Sequence, residues 1–352
     1  MSVRLSAEIA EAFCTEGNVL SCVPMGNGHI NKTFLFTTDK ARYTLQKIND
    51  KVFPDVEKMM SNVVKVTRHI AEKRFTVSPV PTKDGRYFYK DKTGGFYRLM
   101  TFCDGKVCEK VTSAQEMYLV GKGFGRFQAD LNDFSEELFT VIENFHDTSA
   151  RLKRFLSIYE NGSDRKEKVA DLCKEYSEFF FLAPLICRPL SEGRIPERVT
   201  HNDTKINNLV LDEKTDEPVC VIDLDTVMKG SLLYDFGDAV RSGGTTAAED
   251  EKDLEKIEFS LSYFEAFCQG FLSETKDSIT SSERELLSLS PMVMTFECGL
   301  RFLTDYLEGD VYFPVSYPEH NLVRAAAQMA LLKDMERKKK QTEKIINGFF
   351  AR

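Results

Sequence analysis

No two of the nine cysteines in this 352-residue chain stand at C-x-x-C spacing. That argues against a zinc ribbon or a dithiol redox motif. Several lie in apolar runs, as Cys220 does in Pro218-Val-Cys-Val-Ile222, and read as small buried hydrophobes. No apolar run is long enough to span a bilayer. The first 17 residues carry Glu8, Glu11 and Glu16 and no apolar core, so no signal peptide is expected. The expected compartment is the reducing cytoplasm, with no membrane partner. An excess of positive charge is also missing: 47 Lys and Arg stand against 55 Asp and Glu, a net −8. That argues against a nucleic-acid partner, which needs a basic face, but leaves a nucleotide open as a ligand. There is no internal repeat and no low-complexity tract. The basic run Arg337-Lys-Lys-Lys340 reads as a solvated helix end.

What is present is 42% hydrophobic and 29% charged residues, enough for one large domain or two lobes with an ordinary surface. Strand patterns run through Val19–Pro24, Thr33–Thr37, Arg42–Ile48, Arg86–Lys90 and Gly95–Phe102, and Met25-Gly-Asn-Gly-His29 reads as a Gly-rich turn. Pro54 and Asp55 open a helix that continues through Val56 to Glu72. After Asp104-Gly105 the period turns helical, over Ala114–Leu131, Thr140–Tyr159 and Arg165–Ala183. Strands return between Arg198 and Ile222. Helices are then expected over Leu254–Leu272, Ser282–Leu307 and Leu322–Phe350. The expectation is an α+β architecture: a small β-rich N-lobe, residues 1–104, joined to a large, mainly helical C-lobe, residues 105–352. A cleft between them would be the natural ligand site.

The chemistry concentrates in Val199-Thr-His-Asn-Asp-Thr-Lys-Ile-Asn-Asn-Leu-Val-Leu211. His201, Asp203 and Asn208 stand at the spacing of a kinase catalytic loop, H-x-D-x-x-x-x-N. Phosphoryl transfer needs a carboxylate to orient the attacking hydroxyl, which Asp203 suits. It also needs oxygen ligands for a magnesium ion on the phosphates, which Asn208 suits. Pro218-Val-Cys-Val-Ile-Asp-Leu-Asp225 follows as an apolar strand ending in acids, a costly placement unless a cation is held there. Asp223 is the expected second metal ligand, and Asp225 shares that load or bonds behind it. Asp235-Phe-Gly237 spells the metal motif of protein kinases but comes too late in the chain. Asp235 reads instead as structural, capping the next helix and holding the catalytic loop, with His201 as its partner.

Three stretches, Thr200-His-Asn-Asp-Thr-Lys-Ile-Asn-Asn208, Val221-Ile-Asp-Leu-Asp-Thr226 and Tyr234-Asp-Phe-Gly-Asp-Ala-Val-Arg241, resemble the phosphotransferase family of aminoglycoside and choline kinases. Within it the chain looks most like the N-acetylhexosamine 1-kinases, on the wording of the catalytic loop together with Gly28-His-Ile-Asn31, Leu45-Gln-Lys-Ile-Asn49, Phe124-Gly-Arg-Phe-Gln128 and Arg301-Phe-Leu-Thr-Asp-Tyr-Leu307. The resemblance implies a protein-kinase-like two-lobed fold. It also implies ATP- and Mg2+-dependent phosphorylation of the anomeric hydroxyl of N-acetylglucosamine or N-acetylgalactosamine. Asp203 would then be the general base, Asn208 and Asp223 the magnesium ligands, and Arg301 and His29 sugar contacts. For Arg301, on an apolar helix, a salt bridge to Glu297 or Asp305 is the competing reading. ATP is expected under the turn at Gly26 and Gly28 and against the link at Phe102. Lys47 is the candidate phosphate cation and Glu57 its candidate partner. Gln46 and Lys47 fall on opposite faces of their strand, and the alternation does not say which faces the nucleotide. The rival readings are a kinase of an aminoglycoside, a choline-like amine or another sugar, and a nucleotide-binding pseudokinase.

Overall fold

The computed structural model describes residues 8–9, 11–26 and 31–351. β1 (Val19–Pro24), β2 (Lys32–Thr38) and β3 (Arg42–Ile48) succeed one another antiparallel. β4 (Tyr89–Lys90) and β5 (Phe96–Thr101) complete a five-stranded sheet in the order β1-β2-β3-β5-β4. Because side chains alternate across a strand, this sheet has two distinct faces. Tyr43, Leu45, Tyr97 and Leu99 point to one, where they pack with Ile9, Phe13, Phe36 and Val80. Gln46 and Arg98, opposite each other in register, point to the other face, toward the helix Val56–Ala71.

That helix starts where Asp55 accepts the backbone N–H of Lys58, satisfying one orphan amide of its first turn. Val56, Met59, Met60, Val63, Val66 and Ile70 form its buried stripe. Asn62, fully buried on the same helix, donates to the carbonyls of Phe139 and Val227, tying the helix to the C-terminal part.

Five short strands follow: β6 (Lys106–Val107), β7 (Arg198–Thr200), β8 (Leu209–Leu211), β9 (Pro218–Val221) and β10 (Met228–Gly230). β6, β8 and β9 form one antiparallel sheet, and β7 pairs with β10. The helices Ala114–Asp130, Thr148–Asn161, Leu232–Gly243, Leu261–Thr275, Ser290–Leu307 and His320–Arg337 make the body around these strands. Ala114–Asp130 and Leu261–Thr275 cross with backbones nearly touching. A Cβ at Gly121 would sit 2.3 Å from the Phe267 carbonyl oxygen, and one at Gly270 2.1 Å from that of Tyr118. Only glycine permits that approach.

Several expected elements are shorter or broken. Arg86–Lys90 yields only the two residues of β4. The helix expected over Thr140–Tyr159 begins at Thr148, capped by Asp147, after a left-handed Asn144 (φ 54°). The expected Ser282–Leu307 helix is two helices, Ser281–Leu287 and Ser290–Leu307, bent by 60°. Pro291, lacking an N–H, stands in the first turn of the second. The last helical stretch breaks at Lys338, between His320–Arg337 and Lys339–Phe350.

Candidate active site

β7 ends at Thr200, and the chain then turns through the loop that carries Asp203. The carboxylate of Asp235, fully buried at the start of the helix Leu232–Gly243, accepts the backbone N–H groups of His201 and Asn202 at 2.8 Å each. It also accepts Gln128 Nε2 at 2.6 Å. Asp235 is thus structural, as its position implied, although it grips the backbone of His201 rather than the imidazole. Ser231, not Asp235, caps the helix. The imidazole is fixed differently. His201 Nδ1 accepts the backbone N–H of Asp203 at 3.2 Å, so its proton sits on Nε2, which donates to the Ile222 carbonyl at 2.9 Å.

Held this way, Asn202 adopts a left-handed backbone (φ 65°). Its carbonyl accepts Nε2–H of His146 at 2.8 Å, and His146 Nδ1 meets Glu297 at 2.7 Å. Burial pushes the His146 imidazole toward neutrality, but the adjacent Glu297 carboxylate prevails and holds it above the ordinary histidine value. His146 is not marked by the sequence, and Glu297 is marked there only as a candidate partner of Arg301, not of His146. Glu297 is three residues from an apolar stretch's Leu300 and 1% exposed, and a buried acid on so apolar a helix was the available signal.

Asp203 sits on the floor of a cavity of about 1100 Å³, counting its open mouth, lined also by Lys205, Glu297, Arg301, Phe145 and Phe313. Lys205 Nζ lies 3.3 Å from Asp203 Oδ1. Burial raises the Asp203 pKa, but the charge and bond of Lys205 together with the fields of His201 and Arg241 outweigh it, leaving the group below its ordinary value and ionised at neutral pH. Asn208 Nδ2 donates to the Asp203 carbonyl at 2.8 Å and lies 3.4 Å from its Oδ2. That bond turns the Asn208 amide oxygen away from Asp203, and this oxygen has no hydrogen-bond partner among the described residues.

The β8–β9 ladder brings Asn208 beside Asp223: Leu209 pairs with Val221, and the Ile222 N–H donates to the Asn208 carbonyl at 2.9 Å. Asp223 is left-handed (φ 61°, ψ 57°) and begins the tight turn Leu224–Thr226. Its carboxylate accepts no hydrogen bond among the described residues. Burial, then the charges of Asp225 and Asp203, push it up to about 6. An unpaired carboxylate held against two others, beside an unpaired amide oxygen, is a donor set suited to a hard divalent cation. Asp225 is committed elsewhere, to Arg98 of β5 and to Asn31 Nδ2 at 2.6 Å.

The expected small-lobe contacts fare unevenly. Lys47 lies on the sheet face of Tyr97, its ammonium 5.7 Å from that ring's centroid, whereas Gln46 faces the Arg98–Asp225 pair and its Oε1 accepts the Arg98 Nε–H at 2.8 Å. Lys47 is therefore turned away from Asp223 and Asp225, and the cation facing them is Arg98. Glu57 is exposed in the first turn of its helix, where Met59 and Met60, not an acid, flank Arg98. Gly26 (φ 68°) ends the turn's described part, and Gly28 and His29 lie outside the described residues. Phe102 follows β5 in the link, under the Arg42 guanidinium at 4.8 Å.

Arg301 does not form the salt bridges that its helix spacing allowed. Glu297 is taken by His146 and by Thr148 Oγ1 at 2.5 Å. Asp305 accepts the amides of Val311, Tyr312 and Phe313 and Nδ2 of Asn321. The Arg301 guanidinium, caged by Phe145 (5.3 Å), Phe313 (5.4 Å) and Tyr312 (5.8 Å), has no hydrogen bond or ion pair among the described residues.

Among known structures the chain is similar to amicoumacin kinase in complex with AMP-PNP, Ca2+ and amicoumacin (12% identity, TM-score 0.61, covering 94% of this chain and 93% of that one). It is also similar to a spectinomycin phosphotransferase in complex with ADP and spectinomycin (12%, 0.60, 96% and 99%) and to a choline kinase from Cryptosporidium parvum (14%, 0.57, 99% and 99%). These likenesses establish the protein-kinase-like fold. Residues 21–270 match the phosphotransferase enzyme family, a span that holds Asp203, Asn208, Asp223 and Asp235, and the chain belongs to that family.

Proposed function

We propose that this phosphotransferase is an ATP- and Mg2+-dependent kinase that phosphorylates the anomeric C1 hydroxyl of N-acetylglucosamine or N-acetylgalactosamine. The carrying observation is Arg301, an unpaired guanidinium in an aromatic cage that lines the same cavity as Asp203. Its donors suit a neutral carbonyl or hydroxyl, and the ring faces around it suit the apolar side of a sugar. A cationic amine would find little there. Of the cavity's carboxylates, Glu297 is bound to His146, while Asp238 and Glu249 are bound to Arg241. The wording of the catalytic loop supports the same branch of the family.

In this reading the nucleotide lies between residues 1–104 and 105–352, its adenine along the link from Met100 to Asp104. The amicoumacin and spectinomycin enzymes, solved with a nucleotide, support ATP as donor. Asn208 and Asp223 would hold the metal, which when bound offsets the negative charge of the phosphates. Asp203 accepts the hydrogen bond of the C1 hydroxyl and takes its proton as the new O–P bond forms and the bond to the leaving ADP breaks. Lys205 keeps that carboxylate ionised and places positive charge beside the reacting oxygen. Arg301 and the cage anchor the N-acetyl group away from the reacting oxygen, so that its binding energy serves to orient C1. Incubation with ATP, Mg2+ and a panel of sugars, aminoglycosides and choline, with 31P NMR of the products, tests the proposal. A sugar 1-phosphate is expected, and a 6-phosphate or equal turnover of choline overturns it.

A further inference from the structure

The second acid of the strand-end pair, Asp225, is 4% exposed, and both of its oxygens are used. Oδ1 pairs with Arg98 Nη1, and Oδ2 accepts Asn31 Nδ2 at 2.6 Å. Both partners belong to the N-terminal sheet and its turns. Arg98 is on β5, and Asn31 immediately precedes β2. Each partner is itself braced. Arg98 Nε donates to Gln46 of β3 at 2.8 Å, and Asn31 Oδ1 accepts the Asn49 N–H at 2.9 Å. Met59 and Met60 shield the guanidinium at 3.6 and 3.9 Å, so no acid of the neighbouring helix competes for it.

We infer that Arg98 and Asp225 are positioning residues for nucleotide and metal: a buried latch between the N-terminal sheet and the turn that carries Asp223, with Asp225 not a metal ligand. Three facts point the same way. Each Asp225 oxygen is already bonded to a buried side chain of the N-terminal sheet, whereas Asp223, two residues earlier, has no hydrogen-bond partner among the described residues. The latch spans 127 residues of sequence and joins the two walls between which a nucleotide would lie. Its side branch through Asn31 fixes the residue that leads into β2, while Asp225 sets the turn Leu224–Thr226 that begins at Asp223. A guanidinium and a carboxylate buried together fix one geometry, since separating them leaves each charge desolvated and unpaired. Closing this latch places the start of β2 and Asp223 in fixed relation before any ligand arrives. The inference rests on the nucleotide-and-metal part of the reading above and not on the identity of the acceptor.

The test compares wild type with Arg98→Gln, Asp225→Asn and the double variant, which replaces the ion pair by neutral side chains of similar size. Binding of Mn2+ with AMP-PNP is followed by calorimetry and by the Mn2+ electron paramagnetic resonance signal, with thermal melting as the measure of folding. Each single variant is expected to weaken Mn2+–AMP-PNP binding about tenfold and to change the acceptor KM little. The double variant should be no weaker than the worse single, because all three break one contact. Binary binding of free Mn2+ should be weakened but retained in Asp225→Asn and lost in Asp223→Asn. Additive losses in the double variant, or loss of free Mn2+ binding in Asp225→Asn, overturns the inference. If a single variant does not fold, Arg98→Lys and Asp225→Glu, which keep the charges and shift the geometry, must show the same weakening or the inference fails. Wild type that binds no metal–nucleotide at all would instead overturn the proposed function.

Discussion

Glu297 Oε1 lies 2.7 Å from His146 Nδ1, and this pair, 1% and 7% exposed, sits directly beneath the carbonyl of Asn202. Since Nε2 donates to that carbonyl, the imidazole is a two-sided brace between the helix Ser290–Leu307 and the residue before Asp203. Two buried groups of opposite charge make stability depend on pH from both sides. His146 is raised above 6.5 in the fold, so its contribution is complete below that value and fades as pH climbs through the raised one. Burial pushes Glu297 up, but His146, with Arg301 and Thr148, holds it below 4.5, so its contribution is present above that value and fades as pH falls through the lowered one. The melting temperature of wild type should therefore fall on the alkaline side of neutrality. Glu297→Gln, which leaves His146 buried without its counter-charge, should cost about 3 kcal/mol at pH 6 and flatten that alkaline limb. A scan of melting temperature from pH 5 to 9 decides it.

Asp203→Asn should lower kcat by ~10²–10⁴ and leave the fold intact. The amide keeps the shape of the side chain and its neighbours Lys205 and Asn208 but cannot take a proton. Near wild-type turnover of the purified, folded variant would remove Asp203 from the role of base.

Asp223 and Asp235 should separate function from stability. Asp223 accepts no hydrogen bond among the described residues, so Asp223→Ala should abolish metal-dependent turnover and leave the melting temperature of the metal-free protein nearly unchanged. Asp235 accepts three buried N–H donors, from His201, Asn202 and Gln128. Asp235→Ala strands all three and should destabilise by about 3 kcal/mol or more. Thermal melts and Mg2+ titrations of both variants read the contrast directly.

How far these residues could be read from the chain alone depended on the kind of signal each carries. β1 and β3 fall where alternation placed them, and the motif spacing around Asp203 correctly joined a loop to a strand-end acid, because both are local patterns. Alternation puts Gln46 and Lys47 on opposite faces but carries no information about which face meets the rest of the protein. That is decided by helix Val56–Ala71 packing over Arg98, a tertiary fact. Arg98 itself left a trace, a lone cation in Phe96-Tyr-Arg-Leu-Met100, an otherwise apolar strand. Residues 140–147 kept a helical spacing of apolar side chains for a different reason: Ile142 and Phe145 line the cavity. The break before Ser290–Leu307 was marked by Pro291, whose missing N–H outweighs the continuous apolar pattern around it.

Arg301→Ala should raise the KM for the sugar by about 10- to 100-fold and the KM for ATP much less, since a hydrogen bond from a charged donor contributes about 1.5–3 kcal/mol. The expected selectivity follows from what the guanidinium lacks. Its helical neighbours Glu297 and Asp305 are bound elsewhere, so its donors are free for the ligand. The variant should still fold: Glu297, which loses the Arg301 charge, keeps His146 and Thr148 as bonded partners, and Arg151, whose pKa is lowered by burial and then by the Arg301 charge, loses a repulsive neighbour. Glucosamine and glucose, which lack the acetyl carbonyl, should be poor substrates of wild type, and Arg301→Ala should narrow the gap between them and N-acetylglucosamine. Steady-state kinetics on these three sugars, with ATP varied separately, measures both effects. An equal rise in both KM values, or an unchanged preference for the acetylated sugar, would show that Arg301 shapes the cavity without touching the acyl group.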